Sequence, residues 1–99
     1  MAHTFKSARE SLSERFDLPW KVRIYKTFWD PGEHGLSKVN TKNKTAIIKV
    51  NKELPEIAQI DVLIHEYAHL VSWDYYGTHR DVVWGVAYAE CYDAVYGSH

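Results

Sequence analysis

The segment His65-Glu66-Tyr67-Ala68-His69 constrains this chain more than any other. Two histidines four residues apart on an α-helix share a face, with one ring standing a turn above the other. Val62, Leu63, Ile64, Leu70 and Val71 surround them, so this helix has to be central and largely buried. Two imidazoles and a carboxylate on such a helix are polar groups that need partners. One metal ion held by both imidazoles would satisfy them. The glutamate beside the first histidine can then take a proton from a water on that ion.

Local patterns place the other elements around this helix. Phe5, Ala8, Leu12 and Phe16 recur at helical spacing, which predicts a short amphipathic helix from Phe5 to Phe16, closed by Pro19. From Trp20 to Phe28 the pattern alternates, with Trp20, Val22, Ile24 and Lys26 on one face and Lys21, Arg23, Tyr25 and Thr27 on the other; that predicts a half-buried strand. The segment 30–35 reads as a turn-rich loop, Leu36 to Thr41 as a weaker strand, and β-branched Thr45 to Asn51 as the firmest strand. Pro55 and Glu56 open the central helix, expected from about Ile57 to about Tyr75 and stopped by Gly77. A last helix is expected from Asp81 to Tyr96, with Trp84, Tyr88, Tyr92 and Tyr96 as an aromatic stripe. The order helix, three strands, helix, helix predicts a small α+β domain spanning residues 1–99.

Twelve basic and thirteen acidic residues give a formal net charge of -1. No global field favours nucleic acid or an anionic membrane, so any such binding has to come from a local patch. The one cysteine, Cys91, excludes an internal disulfide and a cysteine-rich zinc ribbon; it reads as a small buried residue. The N-terminus lacks the apolar run of a signal peptide, and no stretch approaches a membrane span, so a cytoplasmic protein is expected.

The pentapeptide matches the HExxH pattern of zinc peptidases. Catalytic zinc takes three protein ligands and leaves its fourth position to water. His65 and His69 supply two. His79, just past the Gly77 break, is one candidate third ligand; Glu90 is another. Glu90 neighbours Val83, Val86, Ala87 and Ala94, an apolar face expected to pack inward, where a glutamate serves as a ligand or as an acceptor holding a ligand imidazole. Asp74 and Asp81 are weaker candidates. His34, in a polar turn, and the terminal His3 and His99 read as solvated. Glu66 is the expected proton acceptor and donor. Tyr75, Tyr76, Arg80 and Tyr88 are candidate electrophiles for the developing oxyanion. If Thr45–Asn51 is an edge strand beside the metal, an extended peptide can pair with it.

With these motifs and this element order, the sequence resembles the SprT-like zincin domains: bacterial SprT proteins, eukaryotic Spartan proteases and small phage-encoded relatives. The specific matches are His65-Glu66-Tyr67-Ala68-His69 and His79-Arg80-Asp81-Val82-Val83-Trp84-Gly85. The resemblance implies a minimal zincin with its zinc site on the central helix. It implies one Zn2+ ion on His65, His69 and His79, Glu66 as catalytic residue, and a polypeptide substrate. It allows a nucleic-acid partner that overall charge does not indicate; from charge and hydropathy no membrane partner is expected. Many relatives add a cysteine zinc ribbon; the form expected here is the minimal one, in a bacterial or phage-infected cell. Arg80 stands where a glycine is expected. The alternative from another class is a zinc-stabilised binding or regulatory module with little or no peptidase activity.

Overall fold

The computed structural model describes residues 3–28, 34–73 and 80–97. Helix α1 spans Phe5–Arg15, one residue shorter than its pattern suggested. Thr4 caps it: the Thr4 hydroxyl accepts from the Ser7 amide at 3.0 Å, and the Ser7 hydroxyl accepts from the Thr4 amide at 2.9 Å. Three strands follow, β1 (Lys21–Thr27), β2 (Gly35–Asn40) and β3 (Thr45–Asn51). Then come the long helices α2 (Glu56–Val71) and α3 (Arg80–Tyr96). The architecture is α+β, in the predicted order.

The sheet order is β1-β3-β2, with β3 parallel to β1 and antiparallel to β2. The condition set for peptide pairing with Thr45–Asn51 is not met: β3 is the central strand, paired on both sides, so its backbone has no free edge for a peptide. Among the described strands the outer edges belong to β1 and β2. Ala46, Ile48 and Val50 of β3 point into the core, where they meet Ile60, Leu63, Ile64, Tyr67 and Leu70 of α2. Phe5, Ala8 and Leu12 of α1 and Ala87, Cys91 and Val95 of α3 close the same core. Cys91 is fully buried, as its sequence context suggested.

Connections to α2 fix its position. Buried Gln59 donates from Nε2 to the carbonyls of Lys52 (3.1 Å) and Leu54 (2.8 Å), tying β3 to the first turn of α2. The Phe5 amide donates to Glu56 Oε2 at 3.2 Å, which joins the starts of α1 and α2. α2 ends at Val71, earlier than the expected Tyr75. The Ser72 hydroxyl takes the Ala68 carbonyl at 2.8 Å, a side-chain bond that competes with helix continuation. Tyr75, Gly77 and the rest of 74–79 lie outside the described residues. No helix among the described residues is long and apolar enough to cross a membrane.

Candidate metal centre

α2 carries both faces of the problem. Ile60, Leu63, Ile64 and Tyr67 turn into the core, which leaves His65 and His69 on the flank that faces α3. Their Nε2 atoms lie 3.3 Å apart. That is long for an N–H···N hydrogen bond. It is the separation of two nitrogens on one tetrahedral zinc, which at bonds of about 2.0–2.1 Å stand about 3.3 Å from each other. The donor set and its spacing therefore fit a zinc ion. Burial pushes the His69 imidazole below its usual pKa; Glu66 opposes this, while His65 and Arg80 add to it. The net effect favours the neutral ring, the form that ligates a metal.

Trp84 of α3 packs against both rings, its centroid 5.0 Å from His65 and 5.4 Å from His69. Its bulk limits the rotamers open to either imidazole. The stripe noted in the sequence continues from it as a series of tilted ring pairs, with Trp84–Tyr88 at 5.3 Å, Tyr88–Tyr92 at 6.3 Å and Tyr92–Tyr96 at 4.8 Å. His65, His69, Ser72, Arg80, Asp81 and Trp84 line a hollow of about 310 Å³.

Glu66 is 9% exposed and leans on β2: a Cβ placed on Gly35 would stand 3.3 Å from both Glu66 Cγ and Oε2. A second hollow, lined by His34, Gly35, Asp61, Val62, His65, Glu66 and Tyr88, opens beside the first. The glutamate thus lies between one imidazole and the start of an edge strand.

Of the candidate electrophiles, Arg80 lines the histidine hollow and Tyr88 the glutamate hollow. Tyr75 and Tyr76 lie outside the described residues, as do His79 and Asp74. Asp81 lines the histidine hollow. Among the described residues no group of three His, Cys, Asp or Glu gathers around one point.

Glu90 is placed elsewhere. Its side chain is 47% exposed and pairs with Arg15 of α1 at 3.9 Å, and it lines neither hollow. The inward face of α3 is Ala87, Cys91 and Val95, whereas Val86, expected inside, is 55% exposed. Sequence reasoning also passed over His34 and Gly35. His34 is exposed, as a solvated residue should be, and it also lines the hollow with His65 and Glu66. The glycine at the start of a strand was the available signal, because it marks a close approach of backbone to another group.

Comparison with protein-family models, curated proteins and solved structures finds no match to this chain.

Proposed function

We propose that this chain is a zinc-dependent peptidase of the SprT-like zincin kind, acting on extended polypeptide. The observation that carries the reading is the convergence of His65 and His69 Nε2 at 3.3 Å with Glu66 on the same helix. His79, one residue ahead of α3, is the proposed third ligand. A bound zinc would act as a Lewis acid and lower the pKa of its water.

The chain's own residues do the rest. Glu66, buried beside Gly35, accepts the proton of the attacking water and returns it to the leaving nitrogen. Trp84 holds both imidazoles in place. Arg80 and Tyr88 stand at the two hollows from which a donor can reach the carbonyl oxygen as charge develops. The substrate backbone pairs with β2, whose outer edge is free among the described strands and whose first residue touches Glu66.

A zinc titration against a competing chelator tests the reading. Wild type is expected to bind one ion per chain, and His65→Ala and His69→Ala each to lose that binding. Equal zinc uptake by wild type and both variants would place the metal elsewhere. Zinc binding without any cleavage of unfolded protein would instead indicate a zinc-stabilised binding module.

A further inference from the structure

We propose that two copies of this chain pair antiparallel through the outer edges of β1, in register about Ile24, and so join two three-stranded sheets into one.

The ladder within the sheet shows which backbone groups of β1 are left over. The Lys21 amide donates to the Lys44 carbonyl at 3.0 Å, and the Thr27 carbonyl accepts from the Lys52 amide at 2.7 Å. Lys21, Arg23, Tyr25 and Thr27 therefore turn their amides and carbonyls towards β3. Val22, Ile24 and Lys26 turn theirs outward, because the direction alternates along a strand. No other described strand meets them. Nor does α1 seal this edge: between α1 and β1 runs a cleft of about 580 Å³, lined by Arg9, Glu10, Glu14, Val22, Ile24 and Tyr67 among others. Val22 and Ile24 face the core side yet stay half-buried, whereas Ile48, paired with Ile24 on β3, is fully buried. β1 thus offers an apolar row, open donors and acceptors, and room for one more strand.

Cations on an edge strand commonly discourage pairing. A two-fold pairing about Ile24 avoids that repulsion. Ile24 then opposes Ile24 of the other copy, Val22 opposes Lys26, Arg23 opposes Tyr25, and Lys21 opposes Thr27. Every outward amide and carbonyl of Val22, Ile24 and Lys26 gains a partner, and no two cations face each other. Arg23 and Tyr25 are both exposed on the helix-free face, where the guanidinium can lie on the phenol ring of the other copy. On the helix side, Lys26 of one copy enters opposite Val22, in the cleft that carries Glu10 and Glu14 of the other. Among the described residues neither glutamate makes an ion pair within its own chain. This charge complementarity selects a second copy as the occupant. Moving the centre to Arg23 would set Arg23 against itself, and moving it to Tyr25 would set Val22 against Phe28, beyond the strand. Such a contact uses the same patch twice, so it closes at two copies. It leaves the outer edge of β2 and the histidine pair on α2 untouched, and it does not rest on the zinc reading.

The test combines sedimentation equilibrium of the whole chain with disulfide trapping read on non-reducing gels. The mass should rise with concentration from 11.5 kDa towards twice that value. An equimolar mixture of Arg23→Cys and Tyr25→Cys should oxidise to a cross-linked dimer, since a non-hydrogen-bonded antiparallel pair holds its Cα atoms about 4.5 Å apart, within disulfide reach. Either variant alone should cross-link about tenfold more slowly, because its cysteines do not oppose each other. Cys91 is fully buried and contributes no cross-link. Both substituted positions are exposed, so the fold is expected to hold, with circular dichroism as the check. Glu10→Lys/Glu14→Lys should weaken association about tenfold, and adding Lys26→Glu to the same chain should restore most of it. The proposal is overturned by a monomer mass at every concentration up to about 1 mM. It is also overturned by single variants that cross-link as fast as the mixture, or by Ser37→Cys on β2 trapping the dimer instead.

Discussion

Gly35 at the start of β2 lies directly against Glu66 of α2, with no room for a side chain between them. A Cβ there would overlap Val62 Cγ1 and press on the Glu66 carboxylate at 3.3 Å. Gly35→Ala is therefore expected to cost about 1–3 kcal/mol, the usual range for overpacking a close contact. Gly85, inside α3, is the contrast, since a Cβ there meets nothing within 4 Å. Gly85→Ala should stabilise by about 0.5–1 kcal/mol through helix propensity. Thermal melts of the two variants against wild type check both; a harmless Gly35→Ala would mean that β2 does not sit on Glu66.

Glu90→Ala should leave zinc affinity unchanged, because Glu90 is paired with Arg15 on the outer surface. His79→Ala should abolish tight binding if His79 closes the site. Isothermal titration with zinc separates the two. Loss of zinc on Glu90→Ala would reverse the assignment.

Trp84 touches both imidazoles and ligates nothing. Trp84→Ala is expected to weaken zinc binding about 10- to 100-fold, the range seen when groups that orient metal ligands are removed. Trp84→Phe should recover part of this, since a ring still fills the space. Chelator competition gives the numbers; unchanged affinity in both variants would show that the histidines hold their own geometry.

Burial pushes the Tyr67 phenol and the Cys91 thiol up to about 12. In the unfolded chain these groups ionise near 10 and 9. Their folded pKa values are raised, so the stability they support is complete below the unfolded values and is lost as pH rises towards 12. The denaturant midpoint should fall between pH 9 and 12, with the share of tyrosinate absorbance that Tyr67→Phe removes appearing only as the protein unfolds. If that share appears near 10 while the protein is still folded, the burial of Tyr67 is contradicted.

Much of the fold was legible because its signals are local. The spacing of Phe5, Ala8 and Leu12, the alternation from Trp20 to Thr27 and the β-branched run at Thr45 each depend on neighbours in sequence. Strand order depends on distant pairing, and so the position of β3, edge or centre, stayed open in the sequence. Its consecutive Ala46-Ile47-Ile48 was the available clue, since a strand apolar on both faces suits a central position. Glu90 was misplaced for another reason. α3 is apolar nearly all round, so Val83, Val86 and Ala94 define a face as plausible as the true one at Ala87, Cys91 and Val95. His65, Glu66 and His69 were evident from spacing alone. His34 and Gly35 were not, because only the folded sheet brings β2 to α2.

The central claim is that Glu66 turns a zinc-loaded histidine site into a peptidase. The most direct measurement is cleavage of a mixed unfolded-protein substrate by wild type and Glu66→Gln, each loaded with one equivalent of zinc and compared on gels over time. The account predicts fragments with wild type, stopped by chelator, and at least a hundredfold slower cleavage with Glu66→Gln at unchanged zinc content, in line with loss of a general base. Equal rates in the two proteins, or no cleavage by zinc-loaded wild type, would contradict it.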